Sequence, residues 1–271
     1  MLEGIFCYRD AITMLLCNIK GYFSLAMINV LFFALVLLCP AGLLISSGET
    51  ASMEPLIVSG LFIMVIFVII NFPMLVIASN VVKLDEENRS FAFMELFQTG
   101  IPKMQMCSLG IAINFVLFTI YTFVLSMTQV FGDTQAVVAF SALLLIVEIV
   151  AGDFLYIYVH ETIRLGNFKT SYESAKKAFQ KDLKLSYSFA TLTIITGLTM
   201  AYLAYIFVDG FLDIATVLNN PNVPVDMQLA VLHCLLSFII LILLNTINLT
   251  AKGMLIRRIR EKEKEDLKYV A

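Results

Sequence analysis

Few side chains in this sequence could do chemistry inside its long apolar segments, and four of them lie close together. Glu148 lies within an apolar run, and Asp153, Tyr156 and His160 follow it. Residues four apart share a helical face, so Glu148, Tyr156 and His160 form one stripe. A carboxylate at a bilayer centre costs about 2.5–3.5 kcal/mol, and Glu148 therefore needs a compensating partner. Asp153 is close enough to the end of the run to be solvated.

Two interpretations of this stripe remain open. It could line a polar cavity or a proton route between helices. Alternatively, a protonated Glu148 forms a hydrogen bond with Asn114, Asn245 or Thr246 and links helices. A single carboxyl group without a basic partner is weak evidence for a pathway, which favours the second interpretation.

Other catalytic and metal-binding patterns are missing from the sequence. It contains two histidines and five scattered cysteines without a CxxC pair, so neither a zinc site nor a disulfide framework is indicated. There is no metalloprotease motif, nucleophile elbow, Walker loop or dinucleotide fingerprint. We expect a protein that is not an enzyme and has no cofactor. The net charge of −3 does not indicate nucleic acid as a partner.

The composition is that of an integral membrane protein. Of the 271 residues, 60% are hydrophobic and 14% charged, and the mean hydropathy is +0.90. A spanning helix needs about 20 apolar residues. Six segments meet this requirement, near residues 22–46, 55–79, 107–131, 135–160, 185–211 and 228–250.

The basic residues fix the predicted orientation. All 18 lie in residues 1–21, in the second and fourth connections or after residue 250. The three opposite connections carry only acidic charges, at Glu49, Glu54, Asp133, Asp213 and Asp226. Basic residues mark the cytoplasmic side. The pattern therefore predicts an all-α membrane protein of six spans, with both termini cytoplasmic.

The predicted domains are a leader helix at 1–21, a membrane domain at 22–250 and a charged tail helix at 251–271. The leader has an amphipathic pattern. Its apolar arc consists of Ile5, Tyr8, Ile12, Leu15, Leu16 and Ile19. This helix either lies in the lipid interface or packs on the cytoplasmic ends of the spans. We expect the tail to be a solvated helix whose basic beginning suits anionic lipid.

A related pattern recurs before the third and fifth spans. In each, a basic residue and a leucine precede a serine, at Ser90 and Ser171, and an amphipathic segment follows. The pattern predicts repeated units of a cytoplasmic amphipathic helix and a membrane hairpin. The basic residues expected to contact a protein partner or lipid are Arg164, Lys176, Lys177, Lys181 and Lys184.

Several of these runs resemble the YesL-like family of small bacterial membrane proteins. The similar parts are Asn71-Phe72-Pro73 through Phe97, Tyr156-Ile157-Tyr158 through Arg164, and Leu255-Ile256-Arg257-Arg258. The sequence departs from the family in having no tryptophan and a longer first hairpin. That family has no established enzymatic activity, and its members often accompany ABC-type carbohydrate uptake systems. The resemblance implies a non-enzymatic membrane subunit.

Three functions follow as hypotheses. The first is an accessory or regulatory subunit of a transport system. The second is the permease half of an ABC exporter that works with a separate ATPase subunit. The third is a ligand-binding or channel-like protein that uses Glu148. All three have the lipid bilayer as a partner, and the first two require a membrane or cytoplasmic protein as well.

The topology can be tested by labelling in intact cells. A cysteine introduced at Glu49, Asp133 or Asp226 should react with an impermeant thiol reagent, because these positions are expected outside. A cysteine at Lys177 or Lys264 should not react. Labelling of Lys177 from outside would contradict the six-span arrangement.

Overall fold

The computed structural model describes residues 2–46, 112, 116, 120, 154, 156–162, 165–181, 183–219, 224 and 226–270. Every regular element in these residues is an α-helix, in agreement with the predicted class. The predicted second span and most of the third and fourth lie outside the described residues, as does the amphipathic segment around Ser90. The count of six spans therefore stays a prediction.

Two long helices form an antiparallel hairpin at the positions of the predicted fifth and sixth spans. We number the helices in chain order, so these are α4 (Leu183–Asn219) and α5 (Met227–Val270). Within them, Lys184–Leu218 and Met227–Lys262 are long and apolar enough to cross a membrane. At 1.5 Å per residue they measure about 53 and 54 Å, against a hydrocarbon core of about 30 Å. Both helices must therefore extend beyond the bilayer.

Small residues bring α4 and α5 into close contact near the connection between them. A Cβ atom on Gly210 would lie 3.0 Å from both the carbonyl oxygen of Ala230 and the Sγ of Cys234. Close backbone approach at small residues is a common way to join helices in membranes. The carboxylate of Asp226 caps α5, accepting a hydrogen bond from the backbone N–H of Gln228 at 3.0 Å.

The first two helices form a bent pair. They are α1 (Leu2–Cys17) and α2 (Ile19–Ser46), separated at Asn18. The axes of Gly4–Cys17 and Ile19–Leu31 differ in direction by 108°. The side chain of Asn18 accepts a hydrogen bond from the N–H of Gly21 at 3.1 Å and so caps α2. Among the described residues, this pair adds a third candidate span only if it is counted as one broken span. It corresponds to the predicted leader and first span.

Helix α1 packs on the ends of α4 and α5, as one interpretation of the leader predicted. Its buried residues are mostly small or flexible: Gly4, Cys7, Ala11, Met14 and Leu15. The predicted apolar arc is divided, because Leu15 is buried and Tyr8 half-buried. The remaining members are exposed, namely Ile5, Ile12, Leu16 and Ile19. The small residues face the protein because they allow the backbones to approach closely.

A short helix precedes α4, as the repeated pattern predicted. Before this helix, residues 156–162 are helical. Gly166 has φ +67° and donates its N–H to the carbonyl oxygen of Thr162 at 2.9 Å. Glycine favours this left-handed conformation. The side chain of Asn167 then caps α3 (Phe168–Lys181) by accepting the N–H of Lys169 at 3.0 Å. At 14 residues, α3 is about 21 Å long and cannot cross a bilayer.

Helix α5 is buried on all its faces from residue 248 to residue 256. Helices α1, α3 and α4 all contact α5. Even Lys252 is only 9% exposed. The predicted tail is helical, but its first residues are not solvated as expected, because other helices cover them. The sixth span and the tail are one continuous helix.

The contact between α1 and α4 depends on Gly4. A Cβ at this position would lie 2.7 Å from the backbone carbonyl carbon of Ser188, so Gly4→Ala must displace α1. We expect a loss of about 1–3 kcal/mol, typical of overpacking. The measurement is the free energy of unfolding in mixed detergent micelles. Thr13→Ala, an exposed position on the same helix, is the control, and equal stability of the two variants would contradict this packing.

Candidate functional site

The predicted intramembrane stripe is only partly within the described residues. Glu148 and Asp153 lie outside them. Tyr156 and His160 are in the helical segment 156–162, where Tyr156 is fully buried and His160 is 6% exposed. Among the described residues, the hydroxyl group of Tyr156 has no hydrogen-bond partner. The structure thus places two members of the stripe in the protein interior.

Two of the three residues predicted to pair with Glu148, Asn245 and Thr246, form hydrogen bonds with Asn29 in the structure; the third, Asn114, lies outside the described residues. The amide nitrogen of Asn29 in α2 donates to Thr246 Oγ1 at 2.9 Å, and Asn245 donates to Asn29 Oδ1 at 2.5 Å. Both Asn29 and Thr246 are fully buried. Hydrogen bonds of this kind join helices in membranes. Sequence reasoning did not select Asn29, although it is the only Asn, Gln or charged side chain in the predicted first span.

A second polar contact joins α1 to both helices of the hairpin. The hydroxyl of Tyr8 donates to Asn248 Oδ1 at 2.8 Å, and it accepts a longer hydrogen bond from Thr196 at 3.5 Å. The Tyr8 ring packs on Phe189 with the ring centroids 5.6 Å apart. Together with the Asn29 contact, this places a row of polar links along one part of α5.

The main charged contact lies at one end of the hairpin, formed by residues 183–196 of α4 and 248–262 of α5. We call this the basic end. Arg260 donates to Glu161 Oε1 at 2.6 Å, and Ser174 Oγ donates to Glu161 Oε2 at 2.8 Å. The side chain of Glu161 is 4% exposed and that of Arg260 is 24% exposed. This cluster joins the helical segment 156–162, α3 and α5.

A second ion pair holds α1 at the basic end. Arg258 Nε donates to Asp10 Oδ2 at 3.0 Å, and its Nη2 binds the same oxygen. Arg9 contacts the other carboxylate oxygen at 2.9 Å. Burial raises the pKa of Asp10, but the hydrogen bonds and charges of Arg258 and Arg9 outweigh it and hold the pKa below its ordinary value. The pair therefore stays ionised at neutral pH. Both guanidinium groups also lie over the ring of Phe6.

Two cavities lie beside these ion pairs. The smaller, of about 90 Å³, is next to Glu161, Ser174 and Arg260 and is below the size of usual ligand pockets. The larger, of about 370 Å³, is an open groove between α1 and α5. Its charged residues are Asp10, Arg257, Arg258 and Glu261. Their charges cancel in pairs, so the groove does not select an anion or a cation. The described residues contain no cluster of His, Cys, Asp or Glu able to hold a metal ion.

The predicted partner contacts lie on or near α3. Arg164 is outside the described residues. Lys176 and Lys177 are exposed on α3, and Lys184 is exposed at the beginning of α4. Lys181 ends α3, and its side chain is not among those described. The structure therefore brings three of the five predicted residues to the surface of the basic end.

Comparison with known proteins finds no match: no family model fits the chain, and no curated protein or solved structure is similar to it. The function must therefore be inferred from the residues themselves. What the described groups do chemically is join helices, through amide hydrogen bonds in the interior and ion pairs at the basic end.

The buried ion pair can be compared with an exposed one on the same helix. Arg260→Gln should lose about 1–3 kcal/mol, because it leaves the carboxylate of Glu161 buried without its charged partner. Arg257→Gln breaks a pair with Glu261 whose side chains are 42% and 57% exposed, and it should change stability by less than about 0.5 kcal/mol. Unfolding in mixed micelles measures both. Equal losses would show that the cluster around Glu161 does not hold α3 in place.

Proposed function

We propose that this protein is an accessory or regulatory membrane subunit of a transport system and is not itself an enzyme. It crosses the bacterial cell membrane six times, and its basic end and both termini are cytoplasmic. The family resemblance of the sequence and the segregation of its basic residues support this proposal. A cytoplasmic protein partner is expected to bind at the basic end.

The observation that carries the proposal is the way α3 is mounted. Its inner face holds the buried Ser171 and Ala175, and Ser174 binds the Glu161–Arg260 pair. Lys176 is exposed away from this face, and Lys177 is exposed at its edge, where it lines the small cavity beside Glu161. A short helix fixed rigidly to a spanning helix, with exposed lysines, is suited to an acidic protein surface. Such a helix can also transmit a partner's movement to the membrane domain.

The interior contacts favour a subunit over a pathway. Asn29 donates to Thr246 and accepts from Asn245, and the hydroxyl of Thr246 donates to the carbonyl oxygen of Ile242. Such a network stabilises a helix bundle. A ligand-binding or channel role for Glu148 is a proposal of lower rank, because a single carboxyl group without a basic partner in the sequence is weak evidence for a pathway.

The same feature gives a second candidate, the permease half of an ABC exporter. Cytoplasmic helices that connect spans are suited to contact an ATPase subunit and to follow its conformational change. The sequence has no Walker loop, so the nucleotide would be bound by a separate subunit. The stoichiometry of the co-purified partner distinguishes the two candidates.

The test is co-purification from native membranes. The double variant Lys176→Gln, Lys177→Gln should bind its partner about tenfold more weakly and co-purify with less of it. The reason is that each exposed ion pair contributes up to about 1 kcal/mol. Lys20→Gln removes an exposed lysine from α2 and should retain the partner, so it is the matched control.

Three outcomes are informative. A partner lost only from the double variant supports docking on α3. An ATPase present in a one-to-one ratio supports the exporter half, whereas a substoichiometric transport protein supports the accessory role. If the double variant keeps every partner of the wild type, α3 is not the docking surface.

A further inference from the structure

The outer face of α1 carries large apolar residues that none of the described helices covers. Ile5, Ile12 and Leu16 are 45%, 42% and 69% exposed. At 100° per residue they fall within an arc of about 40°. The buried face of α1 lies on one side of this arc, and Arg9 and Thr13 lie on the other. Helix α1 therefore has three faces: one toward the protein, one apolar and one polar.

The bend between α1 and α2 determines where this outer face lies. Spanning helices tilt by about 20° on average. Because α1 turns by 108° from the direction of α2, a spanning α2 places α1 close to the plane of the membrane. A helix in that plane at the end of a span lies at the level of the lipid headgroups.

Basic residues lie beside the apolar arc. The side chain of Arg9 is 62% exposed, and Lys20 is exposed two residues after the bend at Asn18. Arg9 shares the carboxylate of Asp10 with Arg258, so these three side chains keep one net positive charge. Lys20 adds another. Apolar side chains flanked by cations match the acyl chains and headgroups of an anionic leaflet.

We propose that α1 is an interfacial helix that binds anionic phospholipid. Ile5, Ile12 and Leu16 insert among the upper parts of the acyl chains, and Arg9 and Lys20 hold the headgroup phosphate. This role is separate from the docking of a protein on α3. It requires only that α2 crosses the membrane and that α1 remains packed on α4 and α5.

The sequence offers a direct probe, because it contains no tryptophan. In Leu16→Trp the new side chain is the only indole, and its fluorescence reports its surroundings. In lipid nanodiscs we expect blue-shifted emission and strong quenching by lipids brominated near the carbonyl end of the chains. Thr13→Trp, on the polar face of α1, should emit at longer wavelength and be quenched by aqueous acrylamide.

Two outcomes would overturn insertion. One is quenching of Leu16→Trp by acrylamide as efficiently as Thr13→Trp, which would mean that the face is in water. The other is blue-shifted emission without quenching by brominated lipid, which would mean that a second copy or another protein covers it.

Headgroup recognition has its own measurement. Competition between brominated phosphatidylglycerol and unbrominated phosphatidylcholine around Leu16→Trp should show a preference for the anionic lipid. Removing one basic residue near an anionic surface should reduce this preference by roughly fivefold, so Arg9→Gln with Lys20→Gln should abolish it. The double variant Lys176→Gln, Lys177→Gln is the control and should keep it. If Leu16→Trp, with Arg9 and Lys20 unchanged, inserts into the lipid but shows no preference for phosphatidylglycerol, the assignment of the headgroup is overturned.

Discussion

The rest of the structure depends on the burial of α5 over residues 248–256. A helix enclosed on every side must satisfy each polar group within the protein, because an unpaired group costs free energy. Asn248 Oδ1 accepts a hydrogen bond from the hydroxyl of Tyr8, and the hydroxyl of Thr250 donates to the carbonyl oxygen of Thr246. These requirements fix where α1 can lie. Burial of α5 thus determines both the interior and the arrangement at the basic end.

The helices around α5 are held by contacts that act at short range. Gly4 and Gly210 allow backbones to approach closely, and the ion pairs at Asp10 and Glu161 fix α1 and α3 at the end of α5. Where two helix backbones touch at a glycine, neither helix can shift far without a clash or a gap. The short helices therefore behave as parts of one rigid end, and their outer faces remain exposed.

The sequence was sufficient to predict the long apolar helices and α3. Long apolar runs required α2, α4 and α5, and the alternation of lysines with alanines and serines required an amphipathic α3. The packing face of α1 was not predictable in the same way, because a hydrophobic pattern gives weight to large side chains and the contact uses Gly4 and Ala11. Partners such as Glu161 and Arg260 are 99 positions apart, and periodicity carries no information about which distant residues meet.

The continuity of α5 has a mechanical consequence. It is one unbroken helix from Met227 to Val270, about 66 Å long at 1.5 Å per residue. A continuous helix is stiff and can transmit a displacement along its axis. Arg258 and Arg260 sit two residues apart on it and hold α1 and α3, respectively. A displacement at the Met227 end of α5 therefore reaches both short helices together. The exposed faces of α1 and α3 are thereby coupled to the same helix.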